Sequence, residues 1–98
     1  MFQGNRLVTR GVVNTIPVEV QMFLWSLLDE LTAMEVEVDY LQVFEFSGEN
    51  GMQTIIHRQE EPPYQTVYQF AKVEHPLCQK IYVIDDGPHC TMLLCDEY

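Results

Sequence analysis

The last quarter of the chain holds the residues whose types could perform chemistry. Five potential metal ligands lie there: His75, Cys78, His89, Cys90 and Cys95. Thiolate and imidazole are the ligands that zinc prefers, and His75 and Cys78 have an acceptable local spacing. Cys90 and Cys95 are five positions apart, however, so they would point to opposite faces of a regular strand, and the chain has no C-x2-C pair. We therefore predict no metal site and no cofactor, with the thiols packed as small hydrophobic side chains. A small metalloprotein that uses this group is the alternative.

The sequence contains no recognisable catalytic or nucleotide-binding motif. It has no G-x-S-x-G, no glycine-rich phosphate loop and no dinucleotide fingerprint. A nucleophile needs a nearby base that is oriented by a third group, and no motif here raises the odds that such groups meet. We therefore assign no catalytic residues and expect that the chain is not an enzyme.

Charge is the strongest compositional signal. Five Lys and Arg residues against fifteen Asp and Glu residues give a formal net charge of −10. A chain this acidic repels phosphate backbones and anionic membranes, so we expect no direct binding to nucleic acid or membrane. It attracts basic proteins instead. An alternative is an acidic inhibitor that imitates nucleic acid and occupies a DNA-binding or RNA-binding protein.

Cysteine usage and hydropathy indicate a cytoplasmic location. Three cysteines are an odd number and are confined to the end of the chain, which argues against a disulfide framework and for a reducing compartment. The first residues lack the basic-then-apolar order of a signal peptide, and no apolar run approaches the length that spans a bilayer.

Six residues are candidates for a surface that contacts a protein partner: Arg6, Arg10, Met22, Trp25, His57 and Arg58. The first two arginines are four positions apart on a predicted strand, so they would share a face and form a small cationic spot. The methionine and the tryptophan lie at the margins of a helical apolar stripe, where they either meet a partner or pack at the edge of the core. The histidine and its neighbouring arginine form a recognition pair or part of a solvated strand face.

One predicted helix organises the fold that must position these candidate residues. Residues 17–34 are predicted to be helical because their apolar residues recur with a helical period. The stripe consists of Val20, Phe23, Leu24, Leu27, Leu28 and Leu31. Proline at position 17 fits a helix start, with Thr15 or Ile16 as the cap, and Glu19 suits the positive end of the helix dipole.

The remaining segments read as strands. Alternating or β-branched patterns predict them at 7–13, 39–46, 52–59, 64–73, 80–85 and 90–95. Asn50 and Gly51 predict a type I′ hairpin turn, because both residues tolerate a positive φ. Segment 39–46 is partly apolar on both faces and the centre of 80–85, residues 81–84, is apolar, so both are expected inside the sheet with a strand on either side.

The predicted fold is a single α+β domain over residues 1–98. One amphipathic helix packs on a mainly antiparallel sheet of about six strands, in the order strand, helix, then five strands. The five strands after the helix are expected to form a meander. The first strand is left either at an edge or beside the last strand.

Several segments together resemble the family of small Firmicutes proteins known as domain of unknown function 960. They are 5–11 (NRLVTRG), 16–21 (IPVEVQ), 24–29 (LWSLLD), 39–45 (DYLQVFE), 55–60 (IIHRQE) and 80–87 (KIYVIDDG). The resemblance implies a short cytoplasmic protein of Gram-positive bacteria or their phages, with no assigned activity and no catalytic residues to carry over. We therefore expect a small acidic cytoplasmic protein that acts as a non-catalytic protein-interaction or regulatory module. Its partner would be a basic protein or a second copy of the chain.

Overall fold

The computed structural model describes residues 1–98, and in it one long helix lies across a face of a six-stranded sheet. The helices are α1 (Arg10–Thr15) and α2 (Val18–Ala33), and a 3₁₀ turn follows at Cys95–Glu97. The strands are β1 (Asn5–Val8), β2 (Leu41–Glu49), β3 (Met52–Gln59), β4 (Tyr64–Phe70), β5 (Lys80–Asp85) and β6 (His89–Leu94). Their order across the sheet is β1-β6-β5-β2-β3-β4.

Helix α2 confirms the predicted apolar stripe. The predicted cap at Thr15 or Ile16 is wrong, because Pro17 itself is the N-cap residue; Glu19 lies in the first turn, where a carboxylate complements the helix dipole. Leu24, Leu28 and Leu31 are fully or almost fully buried, whereas Val20 and Phe23 are half-buried and pack against the core from its edge. The helix is therefore held by burial of this stripe against the sheet.

The core lies between α2 and the inner face of the sheet. Its sheet side is formed by alternate residues of the central strands, which point to the same face. The buried apolar members on the strands are Phe44, Phe46, Ile55, Ile81, Val83, Cys90 and Met92. Val12 of α1 and Phe2 close the same cluster near β1.

The sheet is mixed, and the five strands after the helix do not form the expected meander. β5 does not pair with β4; it crosses back and lies between β2 and β6, and β1 then pairs with β6 in parallel. The physical reason is burial: β5 is apolar on both faces and gains most in the interior of the sheet. β4 exposes Gln65, Val67 and Gln69, which suits an edge. The interior placements predicted for the segments that became β2 and β5 are confirmed.

The prediction of a single strand over residues 7–13 is also wrong. The strand ends at Val8, and Thr9 caps α1 by accepting a hydrogen bond from the backbone N–H of Val12 (3.3 Å). Glu97 reinforces this start from the other end of the sequence, because its carboxylate accepts from the Thr9 hydroxyl (2.6 Å) and from the N–H of Gly11 (3.2 Å). These caps override the β propensity of the segment.

The hairpin between β2 and β3 is confirmed in detail. Asn50 has φ 52° and Gly51 has φ 76°, the positive values that a type I′ turn requires at both central positions. Glu49 pairs with Met52, and the register continues to Val43 opposite Arg58. This pairing places His57 on the inner face and Arg58 on the outer face of the sheet.

Candidate binding cleft

An apolar cleft of about 460 Å³ opens between the first turns of α2 and one end of β2, β3 and β4. Its apolar lining consists of Pro17, Val20, Phe23, Phe46, Ile55, Phe70, Val73 and Leu77. The other lining residues are Glu19, Gln53 and His75. A concave apolar site of this size with few polar groups is typical of a binding site.

One wall of the cleft is the loop 71–79, which is fastened to the sheet at several points. The Gln53 side chain donates to the carbonyl of Leu77 (3.0 Å) and accepts from its N–H. Gln79 exchanges two backbone hydrogen bonds with Phe46 (2.7 and 3.2 Å). Pro76 lies so close to Gly48 that a Cβ at that position would overlap the proline ring. The wall is therefore fixed by hydrogen bonds and close packing.

Two aromatic rings, Phe23 and Phe70, line the side of the cleft next to β4. Phe23 meets Tyr68 and Phe70 edge to face, at ring-centroid distances of 5.7 and 5.4 Å. Such edge-to-face pairs add specific attraction to their buried area. Burial, then Tyr64 and the Glu30 carboxylate, raises the pKa of Tyr68.

Strand β4 is an open edge of the sheet. It pairs with β3 alone, and its outward backbone groups have no hydrogen-bond partner elsewhere in the chain. Its seven residues, Tyr64–Phe70, include no charged residue and no proline. Charged residues and prolines usually protect natural edge strands from pairing with other chains. Because β4 has neither, this edge is available for pairing with another chain.

The surroundings of this edge are predominantly acidic. Glu19 and Glu30 lie on the flank of α2 that carries Phe23, because their spacing of four and seven residues from it is helical. Glu60 and Glu61 precede the strand and Glu74 follows it, all three exposed. The basic residue near this edge is Lys72, two positions after the strand.

The structure places Arg6 and Trp25 near the opposite edge of the sheet, Arg10 at the start of α1 and Met22 on α2. The prediction that Arg6 and Arg10 share a strand face is wrong, because Arg10 begins α1. Arg6 instead stacks over the ring of Trp25 (5.0 Å to the centroid) and forms an ion pair with Asp29. Trp25 is only 9% exposed, whereas Met22 is 66% exposed. The tryptophan therefore packs at the margin of the core.

His57 and Arg58 diverge to opposite faces of the sheet. His57 is 1% exposed and stacks on Phe44 with ring centroids 4.4 Å apart. Its Nε2 lies 2.8 Å from Oε1 of Gln42, whose amide nitrogen donates to Oε1 of Gln59 (2.8 Å). Burial lowers the pKa of His57 to about 4. Arg58 is ion-paired with Glu45 (2.7 Å).

The histidine network fastens two loops at the end of the sheet opposite the cleft. The Gln59 amide donates to the carbonyls of Glu37 (3.0 Å) and Pro62 (2.8 Å), and its oxygen accepts from the N–H of Asp39 (3.0 Å). All of these amide groups are used within the protein. The network therefore serves the fold, and its histidine is not on the surface.

The cysteines and histidines of the C-terminal quarter do not assemble into a ligand set. Cys90 is buried in the core, Cys78 is exposed on the loop 71–79 and Cys95 is half-buried. No three His, Cys, Asp or Glu side chains converge in an arrangement that could hold a metal ion. Burial raises the pKa of the Cys90 thiol, which keeps it protonated.

Sequence reasoning missed the cleft because its lining comes from three distant parts of the chain. Val20 and Phe23 were expected on the core stripe, and nothing in their spacing showed that they would remain half-exposed. Phe70, Val73 and Leu77 lie in or after a strand whose end was placed three residues too late. The available signal for an edge strand was the alternation in residues 64–70, which places the mostly polar set Gln65, Val67 and Gln69 on one face.

None of the helices combines the length and the apolar character that a bilayer span requires. The fold is that of an α+β protein with a helix-covered mixed sheet and an apolar cleft at its open edge. The chain belongs to the family described as staphylococcal protein of unknown function, DUF960, whose model matches residues 5–97. The resemblance noted in the sequence is thus confirmed.

A solved structure shares this fold. The crystal structure of a protein of unknown function from Enterococcus faecalis matches with a TM-score of 0.81 and 23% sequence identity, over 97% of this chain and 91% of that chain. A likeness at this identity establishes the architecture alone. The comparison with curated proteins gave no match.

Proposed function

We propose that this protein is a non-catalytic binding module that takes an apolar side chain of a partner protein into the cleft beside β4. The observation that carries the proposal is the continuity of the cleft with an uncharged open edge strand: Phe70 belongs to β4 and also lines the cleft. The edge offers main-chain hydrogen bonds, which favour a polypeptide, and the cleft offers a place for a side chain.

The lining of the cleft supports binding more than chemistry. The Gln53 amide nitrogen is already engaged, since it donates to the carbonyls of Ser47 on β2 (2.9 Å) and of Leu77 in the loop 71–79 (3.0 Å). Glu19 is exposed at the first turn of α2, and His75 is exposed on the loop. The remaining surface is aliphatic or aromatic, so the main favourable term available is burial of apolar area, about 25 cal/mol per Å².

The test is selective capture from a Firmicute lysate with three forms of the protein. Phe70→Lys places a charge in the cleft, and Val67→Lys places the same charge on the same strand but on the other face. The two side chains are similarly exposed, 41% and 50%. We expect partners that bind wild type and Val67→Lys but not Phe70→Lys, with circular dichroism confirming that both variants fold. Identical capture by all three forms, or by none, would contradict the proposal.

We also propose that the module acts in the cytoplasm. Its three cysteines are unpaired, as expected for a protein in a reducing compartment.

The carboxylates lie on α2, on the sheet, on the hairpin turns and at the C-terminus rather than on one element. This distribution does not favour imitation of nucleic acid, which would need a continuous row of charges.

A further inference from the structure

We propose that the ligand of the cleft is an extended peptide that pairs with β4 as a seventh strand and presents a basic residue, an apolar residue and a basic residue at alternate positions. This inference rests on the proposed function and specifies the partner. The apolar residue would enter the cleft beside Phe23 and Phe70, and the two basic residues would meet Glu19 and Glu30.

The main-chain half of this recognition follows from the edge. β4 has seven residues paired on one side only, and Gln53 through Gln59 of β3 hold it in register. A peptide that adds to its free side gains hydrogen bonds that are now made to water, with no rearrangement of the sheet. The opposite edge, β1, is four residues long and carries Arg6, so it is a shorter and less receptive edge.

The side-chain half follows from the flank of α2. Successive residues of an added strand alternate between faces, so every second side chain would lie on the face that α2 covers. On that face they would meet Phe23 between two carboxylates, with Glu19 four residues before it and Glu30 seven residues after it on the helix. Phe23 already contacts Tyr68 and Phe70 of β4, which fixes how close the helix flank is to the edge.

The spacing of the two carboxylates selects the peptide pattern. Glu19 and Glu30 are eleven residues apart, which corresponds to about 16 Å along a helix. Positions i and i+4 of a strand are about 13 Å apart, and long basic side chains span the difference. The pattern basic-x-apolar-x-basic therefore places its three helix-facing residues opposite the acid, aromatic and acid groups.

Charge favours a basic peptide over a second copy of the chain. A second copy would bring its own net charge of −10 against the same carboxylates, with Glu60, Glu61 and Glu74 close to the paired edges. β4 itself contains no basic residue that could meet Glu19 or Glu30 of the other copy. Electrostatic complementarity thus points to a basic segment of another protein.

The experiment is titration of the full-length protein with a synthetic peptide of lysine, phenylalanine and lysine at alternate positions, separated by threonines. At low salt we expect saturable binding by calorimetry, and in NMR spectra new protection of backbone amides in β4. The double variant Glu19→Lys with Glu30→Lys should weaken binding about tenfold or more, because each attraction becomes a repulsion. Asp96→Lys, on the exposed C-terminal turn, should leave binding nearly unchanged.

Two control peptides separate the two halves of the proposal. Glutamates in place of the lysines should abolish binding through charge, and a proline in place of one threonine should abolish it through loss of strand pairing. The proposal is overturned by absent binding, by binding that ignores charge reversal, or by light scattering that shows self-association through β4. If the peptide fails while lysate capture still depends on Phe70, the peptide pattern is wrong and the binding module stands.

Discussion

Acidification from pH 7 to pH 5 should destabilise this protein through His57. The ring is 1% exposed and stacked on Phe44, and burial lowers its pKa from 6.5 to about 4. Between these two values the unfolded chain binds a proton at this residue and the folded chain does not. The stability that the neutral His57 ring confers is therefore fully present above pH 6.5 and is lost as the pH falls toward 4.

The size of the effect follows from the two pKa values. At pH 5 protonation favours the unfolded chain by a factor of about 30, or about 2 kcal/mol, whereas at pH 7 the same term is about 0.2 kcal/mol. A loss of about 2 kcal/mol is a large fraction of the 5–15 kcal/mol that is typical of a small domain. With an ordinary urea dependence it should lower the unfolding midpoint by about 1 M.

The assay is urea unfolding at pH 7 and pH 5, followed by circular dichroism, for wild type, His57→Gln and His75→Gln. His57→Gln removes the titrating ring but keeps a polar group that can bond to Gln42, so it should lose much less stability on acidification. His75 is exposed on the loop 71–79, and its replacement should leave the wild-type pH dependence intact. NMR titration of the His57 ring gives a second measurement that requires no variant.

Two results would refute this reasoning. One is an equal loss of stability between pH 7 and pH 5 in wild type and His57→Gln. The other is a His57 ring that titrates near 6.5 in the folded protein, since it would show that the ring is not excluded from water.

Three further predictions concern other parts of the fold. Gly48→Ala should destabilise the protein by about 1–3 kcal/mol in urea unfolding, because the new methyl group overlaps Pro76, and Pro76→Gly should reduce that cost in a double-mutant cycle. Leu28→Ala should cost about 2–5 kcal/mol in the same assay, since Leu28 is fully buried in the stripe of α2. The hydrogen bonds from Thr9, Leu94 and Gly11 lower the pKa of Glu97, so the stability that they confer should be present near neutral pH and lost as the pH falls through that pKa. Glu97→Gln should accordingly make the melting temperature depend less on pH below about pH 4.5. An unchanged pH dependence in this variant would contradict the role given to Glu97.

The elements that the sequence predicted correctly are those that local patterns determine. The stripe of α2 needs only its own helical period, and the turn at Asn50 and Gly51 needs only two residues that tolerate positive φ. The apolar run in β5 likewise indicated an interior strand without indicating its neighbours. In each case the information lies within about a dozen consecutive residues.

The elements that were predicted wrongly depend on contacts between distant residues. Helix α1 starts where Glu97 reaches Thr9 and Gly11, more than eighty positions away in sequence, and no local pattern reveals that bond. The return of β5 to β2 was not visible because strand pairing depends on which faces the whole sheet buries. The cleft could not be predicted for the same reason, since it exists only after β5 has crossed back and drawn the loop 71–79 along the sheet.

The parallel pairing of β1 with β6 determines how the molecule would respond to mechanical force. Asn5 lies opposite His89 and Val8 opposite Met92, so the first and the last strand of the chain run side by side in the same direction. A tension applied between the chain ends would pull these strands in opposite directions along their length. Their hydrogen bonds would then be loaded together in shear, not opened one at a time as in a zipper. Single-molecule pulling from the two ends should therefore meet higher resistance than pulling across the hairpin of β2 and β3.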